Sequence, residues 1–390
     1  MNRTGIHRGV PIILSAFFTV PMAFLAVGLL VSFALLPSSC DFVNTVRKLQ
    51  PLLLISCGIA VLLWMLAAKI EGGYSTRSRI GVAVPCVAAA MLLAFPVTGL
   101  AVASGTGALQ DLPSVGRMHD ALPDYSYDGA LMFDGESYGV SIWEPDTDGT
   151  APVVIMIHGG GWIQGSRNHG YIQRNCAWLA SHGYMVAAPD YPVSSRGKHL
   201  WNSIVPFMAE SIETITEMAY SHGGNPDAGL FIAGESAGAQ IALDLVLEAT
   251  AGAYPEMPDV DGISLLYPVV SARSCWYQRN PSRNAAMMEM LGCHIGGSPE
   301  EYPDRYESME ERLKVSASAP PALIAYGGAD HLATPEATRR FIVEAREAGM
   351  DVRELFFPLS GHSMDDGESI EAFAWRRATA AMFDDIEGRR

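Results

Sequence analysis

The stretch LFIAGESAGAQIALDLVL, residues 230–247, decides how the rest of this 390-residue chain is read. Leu230–Ala233 has the length and composition of a buried strand, and from Ala239 the apolar positions recur at helical spacing. Between them, Gly234-Glu235-Ser236-Ala237-Gly238 places two glycines in a turn too tight for larger side chains. Strand, strained turn and helix form the setting in which a G-x-S-x-G turn lifts its central hydroxyl out at the carboxyl edge of a sheet. Ser236 would then lie near a helix N-terminus, which favours developing negative charge. It is the candidate nucleophile, and Ala237 contributes a candidate oxyanion N–H.

Upstream, the apolar run Pro152–Ile157 leads directly into His158-Gly159-Gly160-Gly161-Trp162. Consecutive glycines leave backbone N–H groups free to point into a site, so Gly160 and Gly161 are expected to complete an oxyanion hole with Ala237. A phosphate-binding loop is disfavoured, because GxxxxGK[ST] is absent and no lysine lies nearby. His158 reads as a loop brace, and Trp162 equally as packing or as a substrate wall. Downstream, His362 follows the run Val352–Phe357 and precedes the last helical pattern, which makes it the candidate base, with His331 second. Asp330, at the end of Ala322–Tyr326, is the candidate acid that would orient that imidazole. Asp365 and Asp366 read as the start of the last helix, where acidic residues serve the dipole. Glu235 is expected to point away from the base and is kept as a candidate substrate contact.

Around these motifs short apolar runs alternate with amphipathic stretches. Further strands are expected at Ser137–Trp143, Tyr184–Ala188 and Gly262–Tyr267, and helices near 170–182, 203–221, 237–250, 335–348 and 368–386. Alternation of this kind predicts an α/β fold, a mostly parallel central sheet flanked by helices, over residues 125–390. About fifty residues, 270–318, separate two of the strands and contain Cys275, Trp276, Tyr277, Met287, Met288, Met290 and Cys293. They read either as a lid or acyl-pocket wall or as a packed excursion, and an oxidising location would permit Cys275 and Cys293 to pair.

Residues 1–110 have a different character. They carry a balance of +5 against −21 for the remainder, within a total of −16. Gly9–Cys40, Leu49–Ala68 and Ile80–Gln110 contain no charged residue, and each reaches the roughly 20 residues that a helix needs to cross a bilayer. Three transmembrane helices are expected at about 10–36, 50–68 and 81–103, followed by a linker over 111–124. Arg3, Arg8, Lys69, Arg77 and Arg79 against Arg47 and Lys48 favour a cytoplasmic N-terminus and an extracytoplasmic C-terminal domain at the cell membrane. A cleaved signal peptide is the competing reading of the first run. Cys40, Cys57 and Cys86 belong to this region, whereas Cys176 is expected to pack on a helix.

The balance of −16 argues against a nucleic-acid partner, and 49% hydrophobic with 17% charged residues excludes a mainly disordered chain. Six cysteines are too few for a disulfide scaffold and lack zinc-module spacing.

His158–Trp162, Asp190-Tyr191, Gly234–Gly238, Asp330 and His362 together resemble the α/β-hydrolase superfamily, in the HGGG-carrying esterase group related to hormone-sensitive lipase and carboxylesterases. The HGGGW stretch also resembles feruloyl-esterase-like and kynurenine-formamidase-like members. The resemblance spans about residues 125–388 and excludes the apolar N-terminal part. It implies a serine hydrolase acting on small-molecule esters through an acyl-enzyme, without metal or organic cofactor, and a structural role for Asp190-Tyr191. Acyl transfer and amide hydrolysis would use the same residues, and a silent binding module on this fold is the reading from another class.

Overall fold

The computed structural model describes Thr19 and residues 40–388, apart from residues 71–72, 74, 111–124, 134, 146, 148–149, 279–280, 311–313 and 366–368. The expected first span at 10–36 and the expected linker at 111–124 lie outside the described residues. The chain divides into two compact units, Met1–Gly99 and Leu100–Arg390.

In the first unit, α1 (Cys40–Ile70) and α2 (Thr76–Ser104) cover the second and third apolar runs. α2 continues through Pro85 and Pro96 without a break. The Trp64 indole lies against Gly81 and donates to Thr19 Oγ1 at 2.7 Å. Leu52–Ile70 and Ser78–Ser104 are long and apolar enough to cross a membrane, with mean hydropathies of 2.2 and 2.3. Leu52, Leu62, Ile80 and Val97 leave well over half of their surface exposed, unlike the core helices of the second unit.

In the second unit eight strands, β1 (Tyr127–Phe133), β2 (Glu136–Trp143), β3 (Val153–Ile157), β4 (Met185–Pro189), β5 (Leu230–Glu235), β6 (Gly262–Leu266), β7 (Ala322–Gly327) and β8 (Val352–Phe357), form one sheet in the order β1-β2-β4-β3-β5-β6-β7-β8. β1–β2 and β2–β4 are antiparallel, and every other pairing is parallel. Alternate residues of the central strands feed two cores, as the two-residue strand period requires. Ile155, Ile232 and Ile324 pack into one with helices α4 (Ile204–Ala219), α5 (Ala237–Thr250) and α9 (Pro335–Glu347). Val154, Phe231 and Leu323 pack into the other with α3 (Gly170–Ala180) and α10 (Ile370–Glu387). Strands buried on both faces read as continuous apolar runs, which is why β3 to β7 stood out in the sequence. β1 did not: it is an edge strand with a mostly exposed surface, and its apolar run Ala130–Phe133 follows directly on Asp128 and Gly129, with Leu131 buried and Met132 exposed.

The described residues of 270–318 include the helices α6 (Ala272–Trp276), α7 (Pro281–Ile295) and α8 (Pro303–Ser308), packed through buried Met287, Leu291, Ile295 and Tyr306. Cys275 and Cys293 are both buried free thiols, so the expected opportunity for a disulfide is not taken.

One close backbone approach in the unit lies where α5 meets the end of β3. A Cβ on Gly238 would stand 2.3 Å from the carbonyl oxygen of Ile157 and 2.4 Å from that of His158. Gly238→Ala therefore forces backbone apart, and is expected to destabilise the unit by at least about 3 kcal/mol in chemical unfolding. Gly292→Ala in α7, with nothing within 4 Å of the new methyl, should be neutral or stabilising by up to about 1 kcal/mol.

Candidate active site

All the parallel strands end at the same sheet edge, and the expected chemistry-bearing residues follow them. Ser236 sits between β5 and α5 with φ 53° and ψ −117°, a conformation costly for a residue with a side chain. The turn is held by Ser236 N donating to Leu266 O at 2.9 Å and Gln240 N donating to Ser236 O at 3.0 Å. Three other non-glycine residues among those described have positive φ, Trp162, Tyr267 and Ser363. All four line one cavity of about 180 Å³ over the Ser236 hydroxyl. Strain confined to a single cavity marks where the fold has been constrained for something other than packing.

Three side chains distant in sequence meet there. His362 Nδ1 lies 2.8 Å from Asp330 Oδ2, and its Nε2 lies 2.7 Å from Ser236 Oγ. A carboxylate only accepts, so Nδ1 carries the hydrogen and Nε2 is left to accept the serine proton. The other oxygen of Asp330 accepts from the N–H groups of Leu332 at 2.8 Å and Ala333 at 3.0 Å. The acid and histidine loops are in turn joined by Ala329 N donating to Ser360 O at 2.9 Å. A Cβ on Gly327 would stand only 2.1 Å from that same Ser360 oxygen, so glycine at the end of β7 allows the loops to close. Asp330 and His362 are both buried.

Gly160 and Gly161, with φ of 131° and 59°, line the same cavity, and Met290 of α7 sits against Gly161. Among the described residues no protein acceptor takes the N–H of Gly160, Gly161 or Ala237. Trp162 is fully buried; its indole donates to Gln240 Oε1 at 2.9 Å and stacks on His294 at 4.9 Å. It is an internal strut with one edge on the cavity. Met287, Val269 and Leu332 form an apolar side of the cavity, and Gln164, His169 and Tyr171 a more polar one. A larger depression of about 490 Å³ between α9 and β8 is lined by Arg339, Arg340 and Phe356 and lies away from Ser236.

The other described histidines are not poised in this way. His158 bonds Gly159 O through Nδ1 at 2.8 Å and stacks on Tyr191, whose hydroxyl donates to His158 O at 2.9 Å. Burial holds its pKa down at about 4, and that of His294 at about 3, so both stay neutral supports. His331 lies outside the cavity. Asp190 is engaged by Arg167, through both its guanidinium and its backbone N–H at 2.8 Å.

Two expectations need correction. Asp365 does not begin the last helix, because α10 starts at Ile370 with Ser369 capping Ala372 N at 3.1 Å. Asp365 is instead buried and accepts from Tyr267 Oη at 2.5 Å; Asp366 lies outside the described residues. Glu235, expected as a substrate contact, is among the residues around the cavity, but its carboxyl is buried and bonded to Asn175 at 2.6 Å. Asn175, Tyr267 and Arg376 were missed in the sequence. Signals existed: Asn175 and Arg376 interrupt otherwise buried helical stripes, and Tyr267 follows a parallel strand at its carboxyl end.

With this geometry in view, comparison with known proteins gives a consistent result. The BD-FAE family model matches residues 141–343, a range that contains the glycine loop, Ser236 and Asp330 and stops short of His362. Esterase LipC of Mycobacterium tuberculosis is 26% identical over 224 residues, covering 55% of this chain and 53% of that protein. The probable carboxylic ester hydrolase LipM of the same organism is 26% identical over 278 residues, covering 66% and 61%. The chain thus spans little more than half the length of these relatives. A fungal esterase structure from Rhizomucor miehei superposes with a TM-score of 0.57 at 19% identity, covering 68% of this chain and 84% of that one. The fold is that of the α/β-hydrolases.

Because His158 and His294 are held neutral, each contributes stability that is full above the ordinary histidine value of 6.5 and is lost as the pH falls towards about 4 and about 3. The difference in thermal midpoint between the native protein and His158→Phe, which preserves the stack on Tyr191, should therefore shrink as the pH falls through that window.

Proposed function

We propose, from the premise that this chain belongs to the BD-FAE family, that it is a carboxylic ester hydrolase working through an acyl-enzyme on Ser236. The observation that carries the reading is the continuous hydrogen-bonded line from Ser236 through His362 to Asp330 beside glycine N–H groups without acceptors. In this reading Ser236 Oγ attacks the ester carbonyl while His362 Nε2 takes its proton. Asp330 fixes the imidazole tautomer and stabilises the imidazolium. The carbonyl oxygen, now negative, is received by the N–H groups of Gly160, Gly161 and Ala237. Collapse expels the alcohol, which takes the proton from His362, and a water activated by the same nitrogen then releases the acid. The apolar side of the cavity, with Met287 and Val269, suits the hydrocarbon part of a small ester.

We further propose that the apolar N-terminal part anchors the enzyme in the cell membrane, with the catalytic unit on the extracytoplasmic side. Two long apolar helices with exposed surfaces support the anchoring, and the excess of Lys and Arg in the segments assigned to the cytoplasm supports the orientation.

Ser236→Ala should lower kcat for short p-nitrophenyl esters by roughly 10⁶-fold, the scale seen when a serine hydrolase loses its nucleophile, and should abolish labelling by a fluorophosphonate probe. Turnover that survives the substitution would remove Ser236 from the mechanism. After cell fractionation the full-length chain should stay with membranes through an alkaline carbonate wash and be released only by detergent; release by the wash would argue against the anchor.

A further inference from the structure

Behind the Ser236–His362 contact lies a second polar group that takes no part in the proton path. Glu235 immediately precedes the nucleophile, and Asp365 follows the base by three residues on the same loop. Both are only 1% exposed. Asn175 Nδ2 bridges them, donating to Glu235 Oε1 at 2.6 Å and to Asp365 Oδ2 at 3.4 Å. Its own carbonyl oxygen accepts from Arg376 Nε at 2.6 Å. Tyr267, whose ring lies 4.5 Å from the His362 ring, donates its hydroxyl to Asp365. Among the described residues Glu235 Oε2 has no hydrogen-bond donor, and the two buried carboxyls converge on the one Asn175 amide group.

The charges in this group do not balance if both acids ionise. Arg376 faces them from α10, Tyr171, Asn175 and Cys176 from α3, Tyr267 from the end of β6, and His362 from their own side of the sheet edge. The cation fixed among them is Arg376, and it is itself buried. Two adjacent carboxylates out of water against one guanidinium cannot both be charged at tolerable cost, so one proton stays. Burial raises the pKa of each acid, and for Glu235 the charge of Asp365 adds to it.

We propose that Glu235 and Asp365 share a single proton, and that this carboxyl–carboxylate hydrogen bond clasps the nucleophile turn to the histidine loop. Both are positioning residues: they act through Ser236 and His362 and touch neither the substrate nor the moving proton. The inference rests on the reading of Ser236 and His362 as nucleophile and base, and deepens it. Loss of the shared proton in alkali sets two negative charges against each other at the junction of the two loops. Tyr267 then loses the partner that orients its ring against His362, and the Ser236–His362 distance is no longer held.

The test uses the full-length protein in detergent micelles as the native form, Glu235→Ala, Glu235→Gln and Asp365→Asn, with p-nitrophenyl acetate as substrate. A side-chain amide donates the hydrogen bond that the shared proton makes and cannot ionise. Glu235→Ala should lower kcat by up to about 100-fold, the scale of a displaced reacting group, with KM little changed. Glu235→Gln should recover at least about tenfold of that loss, being on the same scale. Both amide variants should keep their activity further into alkali than the native protein. Thermal midpoints supply a readout that does not need turnover. Raised folded-state pKa values contribute stability that is complete below the ordinary carboxylate range and disappears as the pH rises through the folded values. The midpoint of the native protein relative to Glu235→Gln should therefore fall as the pH rises. Amide variants that share the native alkaline limb, or a midpoint difference that does not change with pH, overturn the proposal. Absence of ester turnover in the native protein would instead overturn the hydrolase reading and the positioning role built on it, while the midpoint series still decides whether the proton is shared.

Discussion

The arrangement depends on one steric constraint, the seating of the first turn of α5 against the last carbonyls of β3. Gly238 has no side chain to separate it from the carbonyl oxygens of Ile157 and His158, so the nucleophile turn and the glycine loop lie one backbone thickness apart. An oxyanion hole built from both segments requires that proximity, because its donors must converge on one atom. The cost appears as the unfavourable torsion of Ser236, which is offset by backbone hydrogen bonds to β6 and into α5. The neighbouring positive-φ residues, Trp162, Tyr267 and Ser363, all lie around the same cavity, so the fold concentrates its strain where reacting groups must be aimed.

Burial then sorts the histidines. His158 and His294 have aromatic faces against them and no buried carboxylate in hydrogen-bonding contact, so desolvation keeps them neutral and fixed. His362 alone among the described histidines lies between a buried carboxylate and a serine hydroxyl. The inert histidines still matter to the site through the groups they hold. His294 on α7 stacks on Trp162 and bonds Ser194 at 2.9 Å, and Trp162 reaches Gln240 on α5. Gln240 and Lys314 both engage Asp244, so the insert, the glycine loop and the helix after the nucleophile form one connected body. In this structure the insert is a wall of the cavity, with Met287 and Met290 as its inner surface.

Much of this was legible beforehand, and for a common reason. β3 to β8, the helices α3, α4, α5 and α9, the Ser236 turn and the glycine loop are each signalled within a few residues, by periodicity or by glycine placement, whereas the helices α6 to α8 of the insert were not read as helices. Asp330 and His362 were inferred by a weaker route, from their positions after strands that share an edge. Asp365 was misassigned, since an acidic residue just before a helical pattern resembles a cap until the cap is seen to be Ser369. The edge strand β1 was missed because its exposed surface leaves only the short run Ala130–Phe133, preceded by Asp128 and Gly129, in place of a fully apolar strand.

The amino-acid sequence by itself determined the local elements, the strained serine turn, the glycine loop and the division into an apolar basic part and an acidic globular part. Those properties depend on neighbours in the chain, and neighbours are what a sequence displays. The tertiary structure decided which of ten histidines meets Ser236, that two buried acids converge on the Asn175 amide behind it, and that Cys275 and Cys293 remain thiols. His362 and Ser236 are 126 residues apart, and Arg376 and Asn175 are 201 apart. Contacts at such separations follow from the order in which strands join the sheet, and it is desolvation at those meeting points that sets the charge each group carries.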